Sequence, residues 1–394
     1  MKLIVILLVA IMIAMFGNLF LSFFGATKPL AAVVLLLRDL FFFALPIAIL
    51  FVRSINYRYS IYVLLTYFVF TVLSLHAFFV TNIDAENLYN LVRVVSSFFV
   101  TFGLLLLVDP RDFRTPLILA SKLFLYICSI EAASILLDVH TEFLSFLNYF
   151  EFLSTKGSEV GLGGGLLGLR LVTPMYNPSI GGMVLLACLF ALKNGRELSW
   201  FLHGLGIISL FLTVSKTALL LLPLLYLRPY FCRLYLGGLI ASVSTLVFLD
   251  FELLVFSFVD RDSAIGAVAS LHIPSILHHF YGFSSGFSYF WEPVGIGFAG
   301  TGSLVNTDGY MIGAESWFGM ALASLGGLIF FSLLISGIAL LIRKYKAGGV
   351  FVALILLVVG IYNEGMGRPY ILVSIMLLFM LNFSKPSLEL RRRD

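Results

Sequence analysis

Charged residues are scarce in this chain, so each one that could do chemistry is informative. Only 12% of the residues are charged, whereas 60% are hydrophobic. Six basic residues fall on segments that we predict below to face outward from a membrane: Lys28, Lys156, Arg170, Lys216, Arg261 and Arg368. A cation beside the membrane is costly unless it is paired or functional. These residues are therefore candidates for binding an anionic ligand.

Arg170 begins the sequence RLVTPMYNPSIGG, in which Pro174, Asn177-Pro178 and Gly181-Gly182 break regular structure. We expect a helix to start after the Asn-Pro pair. Free N–H groups at a helix start and the planar guanidinium both suit phosphate oxygens, so the pattern predicts an anion site at Arg170. The alternative is an arginine that only reaches up to the lipid headgroups.

Two more cations have distinctive neighbours. Lys216 lies in TVSKTALL between two apolar runs, and Arg261 lies in VDRDSA at the start of a long loop. Both could hold an anion. The alternatives are a solvated turn residue at Lys216 and a weak surface ion pair between Arg261 and its aspartates.

Glu315 is a carboxylate at the point where the apolar run WFGMALASLGGLIFF begins. Partial desolvation at such a position suits a general base that acts near neutral pH. The alternative is a helix-start carboxylate that the helix dipole favours.

The histidines and cysteines do not predict a metal site. The spacing of His272, His278 and His279 does not bring ligands together as H-x-x-x-H would, and the three cysteines have no C-x-x-C spacing. These histidines and Tyr176 are secondary candidates for the site. We expect neither a metal nor another cofactor.

The elements that position these residues are predicted to be transmembrane helices. A soluble domain carries roughly 25% charged residues, about twice the fraction here, and apolar runs recur along the whole chain. With about 20 residues needed per span, we predict an all-α protein with about twelve spans in one integral membrane unit, residues 1–394. The second predicted span is interrupted by Arg38-Asp39. The spans are 3–24, 30–52, 59–80, 88–108, 115–137, 173–192, 198–213, 216–227, 234–256, 316–342, 348–362 and 367–383.

Lys and Arg clusters follow the even-numbered spans, which predicts that both termini are cytoplasmic. Two connections on the other side are long, residues 138–172 and 257–315, and long loops are usually functional or disordered. We expect short amphipathic helices in them, around Glu142–Phe152 and Ala264–Phe280. The functional surface is therefore predicted to face outward.

These motifs, taken in order, resemble the O-antigen ligase/polymerase superfamily, and Wzy-type O-antigen polymerases in particular. The resemblance covers roughly residues 160–335. Its elements are R-x10-G from Arg170 to Gly181, S-K-T-A at 215–218, Arg261 heading a long loop, the small-residue segment 293–297, and Glu315-Ser316 leading into L-x-x-x-G at Leu322 and Gly326.

The resemblance implies a membrane fold of the GT-C type in a bacterial inner membrane, with metal-independent, inverting glycosyl transfer on the periplasmic face. The substrates would be glycans linked to undecaprenyl diphosphate, and the other partners the lipid bilayer, a chain-length regulator and a flippase, but no nucleic acid. Glu315 would be the base. The diphosphate would be held by Arg170, Lys216, Arg261, Asn177 and Arg368.

Three departures bear on the choice within the superfamily. Where the superfamily has Ser-Arg, this chain has Lys216 after the serine, which keeps the positive charge but loses the planar guanidinium. Ligases carry His-Asn where this chain has Glu315-Ser316, and a second R-x10-G is absent because His272 stands eleven residues after Arg261. The missing histidine favours a polymerase over a ligase.

Two non-enzyme alternatives stay open. A flippase or other transporter is supported by ionisable residues within the spans, namely Arg38-Asp39, Arg93 and Glu131. A purely structural assembly partner would need none of the outward cations.

Overall fold

In a computed structural model of the chain, the residues described are 2–25, 28–52, 55–80, 85–150, 152, 170–246, 283–295, 316–362 and 369–381. Within these ranges the regular structure is helical and no strand occurs. The predicted all-α class is confirmed for this part of the chain.

The N-terminal third forms a series of long helices that run back and forth. A 3₁₀ turn, Pro110–Phe113, leads into the fifth, and a short sixth helix follows it. The helices are α1 (Lys2–Phe23), α2 (Lys28–Val52), α3 (Tyr57–Val80), α4 (Ala85–Leu107), α5 (Arg114–Leu136) and α6 (His140–Phe146).

The rest of the described chain adds a short helical stretch at 283–287 and seven further helices, of which the third continues as a 3₁₀ turn, Leu222–Leu225. They are α7 (Pro178–Asn194), α8 (Trp200–Thr213), α9 (Lys216–Leu221), α10 (Pro229–Leu246), α11 (Trp317–Tyr345), α12 (Ala347–Tyr362) and α13 (Pro369–Met380).

Several helices are long and apolar enough to cross a membrane. In the described ranges these are the stretches 33–52, 57–79, 110–136 and 317–345, and further apolar helices of 10–17 residues accompany them. Helices occur at all the predicted span positions, and in the part of the chain whose side chains are described these four satisfy the length and composition of a span. The membrane class is therefore supported, and the count of twelve spans stays a prediction.

Helix α2 runs continuously through Arg38-Asp39 and agrees with the predicted span 30–52. One boundary of the predicted spans is wrong. The sixth span begins at Pro178, as the Asn-Pro pair indicated, and not at residue 173, because the Asn177 side chain caps the helix by accepting a hydrogen bond from the Ile180 N–H at 3.1 Å. Proline is well suited to the first helical position.

Helix α7 lies at the centre of the fold. Every residue from Ile180 to Leu192 is buried, and α7 packs against α5, α8, α9 and α13. A helix that is apolar all round is buried on all sides. Helix α7 is therefore the central element around which the neighbouring helices pack.

Lysines and arginines gather on one face of the bundle, which we call the basic face. The Lys344 ammonium at the end of α11 donates to the Leu105, Leu106 and Val108 carbonyls at the end of α4. The Lys193 ammonium at the end of α7 donates to the Leu225 carbonyl at 2.6 Å. A cation at a helix C-terminus is favourable because it meets unpaired carbonyls and the negative end of the dipole.

The opposite face holds the starts of α4, α7 and α11 and the end of α5. There the Trp317 indole N–H donates to the Val94 carbonyl at 2.7 Å, and the Phe98 ring stacks on Trp317 with centroids 3.8 Å apart. The positive-inside rule predicts that this opposite face is periplasmic.

Cysteine labelling can test this orientation, since the three native cysteines are buried. Ser145 in α6 and Asn194 at the end of α7 are exposed on opposite faces. We expect Ser145→Cys to react with a membrane-impermeant maleimide in intact cells. Asn194→Cys should react only after the membrane is permeabilised, and the reverse pattern would invert the topology.

Candidate functional site at Arg170

Residues 170–177, which we call the Arg170 segment, are non-helical and largely buried. Leu171, Val172 and Thr173 are at most 2% exposed. The segment bonds to Glu131, which lies five residues before the end of α5, or about 7.5 Å inside that end at 1.5 Å per residue. At membrane depth, non-helical backbone is tolerated only where protein buries it or where it lines a cavity.

Glu131 holds this segment in place. Its carboxyl group accepts hydrogen bonds from the Val172 N–H and from the Thr173 N–H, the latter at 2.9 Å. The side chain is almost fully buried. The sequence analysis noted Glu131 only as an ionisable residue of a span, and the structure shows that it binds backbone amides that no helix or strand satisfies.

Two further buried polar side chains surround Glu131. The Ser134 hydroxyl donates to the Glu131 carbonyl at 2.7 Å and lies 3.1 Å from the His140 Nδ1. Burial lowers the pKa of His140, and the nearby Arg170 carbonyl opposes that shift. The imidazole is therefore neutral at pH 7, and it packs the start of the Arg170 segment against α5 and α6.

The segment and the turn that it contacts each contain a backbone conformation that non-glycine residues rarely adopt. Thr173 has φ 65° and Val214, at the end of α8, has φ 50°. Left-handed backbone is unusual for β-branched residues and costs of order 1–3 kcal/mol each. Such strain persists only where the surroundings hold it, and it is concentrated at functional sites.

Arg170 bonds to the end of α8. Its Nε donates to the Thr213 carbonyl at 2.8 Å and its Nη2 to the Val214 carbonyl at 3.3 Å. The guanidinium thus meets the unpaired carbonyls of a helix C-terminus, and the predicted anion site at Arg170 stays a prediction. Partial burial lowers the pKa of Arg170, but arginine stays charged in proteins. Since both carbonyl partners are neutral, neither compensates its positive charge.

Lys216 lies close to this contact along the chain. It is the first residue of α9, two residues beyond the Val214 carbonyl that Arg170 binds, and it is exposed. The buried Ser215 hydroxyl anchors the turn by donating to the Ser179 carbonyl at 2.9 Å. The structure thus brings the predicted cations Arg170 and Lys216 to one turn between α8 and α9.

Tyr176 and Asn177 have local roles. Asn177 is the exposed cap of α7. The Tyr176 ring packs edge-on against Tyr149 and Phe152, with centroids 4.9 and 5.5 Å away. Burial raises the pKa of Tyr176, so its hydroxyl stays protonated near neutral pH and is not a base.

Two glycines of α7 allow the strained turns to approach. A Cβ at Gly181 would overlap the Thr173 hydroxyl, and one at Gly182 would lie 2.5 Å from the Ser215 Cβ. The Gly181-Gly182 pair of the R-x10-G element is therefore explained by close packing between α7 and the two turns.

A second pair of motif elements also meets in the structure. Helix α11 breaks at Gly326, where φ is 72°. The Gly327 N–H then donates to the Phe290 carbonyl at 2.7 Å, and the Ala323 carbonyl accepts from the Val294 N–H at 3.0 Å. In an unbroken helix that N–H and that carbonyl would bond to each other. The 290–294 segment thus supplies the hydrogen-bond partners that the L-x-x-x-G element loses at the helix break.

The other predicted site residues, and the predicted helix around Ala264–Phe280, lie outside the described residues. The site residues are Arg261, His272, His278, His279, Glu315 and Arg368. Comparisons of the chain with protein-family models, with curated proteins and with solved structures gave no match. Its function is therefore inferred from its own residues.

The glycine packing can be tested by adding one methyl group. Gly181→Ala and Gly182→Ala should each lower the free energy of unfolding in detergent by about 1–3 kcal/mol, because overpacking forces strain. Gly204→Ala in α8 is the matched control, since nothing lies within 4 Å of its Cβ position. Equal stability of all three variants would contradict the packing described here.

Glu131→Gln tests the bonds to the Arg170 segment. Glutamine has one acceptor oxygen and a donor amide in place of two acceptors, so one buried N–H loses its partner at a cost of about 1–3 kcal/mol. We expect a lower unfolding temperature and faster proteolysis between α6 and α7. Glu142→Gln, at an exposed residue of α6, should change neither, and a similar response to both substitutions would argue against a special role for Glu131.

Proposed function

We propose that this protein is a glycosyltransferase that polymerises undecaprenyl-diphosphate-linked oligosaccharide repeats into O-antigen or a related surface polysaccharide. The observation that carries the proposal is the meeting of Arg170 and Lys216 at one turn next to a buried, strained, non-helical segment. The turn lies on the face opposite the basic face, the face that we propose is periplasmic. The motif order in the sequence supports the same function.

The proposed reaction explains why cations are needed. A hydroxyl of the acceptor sugar attacks the anomeric carbon of the donor glycan, and a new C–O bond forms. The bond from that carbon to the diphosphate oxygen breaks, and undecaprenyl diphosphate leaves with the electron pair. The hydroxyl proton passes to a base. Fixed positive groups lower the barrier most where charge develops, which in this reaction is the leaving diphosphate.

Arg170 is suited to that task because its position is set before a ligand arrives. Two of its N–H groups are held by the Thr213 and Val214 carbonyls. A guanidinium that is already oriented loses less entropy on binding a phosphate than a free side chain would. The exposed Lys216 adds a second cation at the same turn, as a point charge.

The other assignments rest on the sequence. We propose Glu315 as the base, with His272, His278 and His279 as secondary candidates, and Arg261 and Arg368 as further cations around the diphosphate. Transfer would be metal-independent, with the cationic side chains supplying the positive charge. The twelve spans, the fold of the GT-C type and the inner-membrane location belong to the same proposal.

The transporter alternative loses some of its support in the structure. Glu131 binds two backbone amides, and Asp39 is paired with Arg38 and Arg93. The ionisable residues that favoured a transport path therefore have structural partners within the described part of the chain. A ligase would share the diphosphate site and differ in its acceptor.

Substitution of the two cations tests the proposal in cells. In a strain that lacks the protein, Arg170→Ala or Lys216→Ala should restore little polymer, because loss of one charge-stabilising donor lowers turnover by roughly 10²–10³. Arg170→Lys should restore only part of the polymer, because the point charge of an ammonium does not replace the planar guanidinium. Arg196→Ala, an exposed cation near the basic face, is the control and should restore full chain lengths.

The measurement is the lipopolysaccharide gel pattern, with an immunoblot to show that each variant accumulates. A single repeat on the core in the deletion strain indicates a polymerase, whereas no repeat indicates a ligase or a flippase. Wild-type chain lengths from both alanine variants would rule out the Arg170–Lys216 turn as the diphosphate site.

A further inference from the structure

A short segment, residues 283–295, packs along the first half of α11. It begins as the helical stretch 283–287. A Cβ at Gly286 would lie 2.6 Å from the Gly319 Cα, so the two backbones are in direct contact. The Phe283 ring also packs edge-on against Phe318, with centroids 6.1 Å apart. The segment is therefore docked closely on α11.

The end of this segment is a turn that is fixed to the break in α11. The two hydrogen bonds described above hold the turn at residues 290 and 294. Between these bonds lie Trp291 and Glu292, a pair that we call the Trp291 tip. Trp291 is 76% exposed, and Glu292 is exposed as well. Because the backbone on both sides is paired with α11, the tip is presented on a rigid support.

The tip lies at the edge of the hydrocarbon core on the opposite face. Ala323, which bonds to the turn, precedes the exposed Arg343 by 20 residues, or about 30 Å at 1.5 Å per residue. The hydrocarbon core of a bilayer is also about 30 Å thick. With Arg343 among the headgroups on the basic face, the tip is level with the headgroups on the other side.

A tryptophan at this level has a simpler role in many membrane proteins, as an anchor at the boundary between lipid and water. Trp200, which is 86% exposed beside the basic face, fits that role. The Trp291 tip differs because it carries a carboxylate, which makes no hydrogen bond or ion pair within the described ranges. A charge at the edge of the hydrocarbon core is costly unless it is paired or functional. The tip is therefore suited to a ligand that has both an apolar face and hydrogen-bond donors.

We propose that the Trp291 tip binds a sugar ring of the lipid-linked glycan. A sugar ring has an apolar C–H face, which packs on an aromatic ring, and hydroxyl groups, which donate charge-assisted hydrogen bonds to a carboxylate. The inference rests on the proposed function, because a glycan attached to a lipid diphosphate begins at the level of the headgroups. An anionic phospholipid headgroup is a poorer ligand, since Glu292 repels it.

The tip and the Arg170 site are carried by different helices. Helix α11 packs against α4 and α12, whereas the Arg170 segment bonds to α5 and α8. We therefore expect the tip to hold a sugar other than the one that reacts. Trp291 and Glu292 are binding residues, and loss of either should weaken the hold on the glycan without abolishing transfer.

A fluorescence titration of the full-length protein in detergent tests this site. The probe is the oligosaccharide repeat released by mild acid from the lipid-linked intermediates of the deletion strain, and it carries neither lipid nor phosphate. The chain has three tryptophans, of which Trp317 is buried. The probe should change the emission of the wild type and of Trp200→Phe, but it should leave the emission of Trp291→Phe unchanged.

The carboxylate is tested by the affinity for the same probe. Glu292→Gln should raise the dissociation constant about 10-fold, because a neutral amide replaces a charged acceptor. Glu142→Gln is the matched control, since Glu142 is an exposed carboxylate on the same face, and it should bind like the wild type. Both tip residues are exposed, so their substitution opens no cavity, and Trp291→Tyr provides a second variant if Trp291→Phe does not accumulate.

Three outcomes would overturn the proposal: unchanged emission of the wild type, a response that persists in Trp291→Phe, or equal dissociation constants for the two glutamine variants. The gel pattern in cells reports separately on the proposed function. Polymer formation without a fluorescence response would reject the sugar site and keep the polymerase. A response at Trp291 in a protein whose deletion strain carries no repeat on the core would keep the sugar site and reject the polymerase.

Discussion

The bond between the Glu131 carboxyl group and the Val172 and Thr173 N–H groups is the interaction on which the candidate site depends. It holds a non-helical segment at a depth where the backbone N–H and carbonyl groups would otherwise need a helix to pair them. With that segment in place, Arg170 reaches the end of α8, and the turn that carries Lys216 packs under the start of α7. A single buried side chain thus links α5 to the cations that we propose hold the diphosphate.

Much of the helical scaffold could be predicted from the sequence, because a run of about 20 apolar residues has few alternatives in lipid. The contact between Arg170 and the end of α8 could not be predicted, because Thr213 and Val214 are distant in sequence and no pattern there indicates that they bind an arginine. The start of α7 could be predicted from the Asn177-Pro178 pair, whereas the strained backbone at Thr173 before it could not. From the sequence, Glu131 is interpreted only as an ionisable residue within a span, because hydropathy does not show which backbone amides lack a partner.

The same device recurs at Gly326. The break in α11 leaves the Gly327 N–H and the Ala323 carbonyl without helical partners, and the neighbouring segment 290–294 bonds to both. In each case backbone groups of an irregular segment are paired inside the bundle, which is what non-helical backbone needs at membrane depth. The glycines of the two motif elements serve different needs, because Gly181 and Gly182 admit the Thr173 and Ser215 side chains, whereas Gly326 adopts a positive φ.

The Glu131 bond also has a consequence for how the chain is made. Its partner Val172 is 41 residues further along the chain, so at roughly 5–20 residues per second the ribosome produces it about 2–8 seconds later. During that interval α5 carries an acidic side chain without its final partners, about 7.5 Å inside the end of the helix. We expect this carboxyl group to stay near the membrane surface, in contact with water, until the Arg170 segment folds back onto it. Final positioning of this helix in the bilayer would then coincide with assembly of the site.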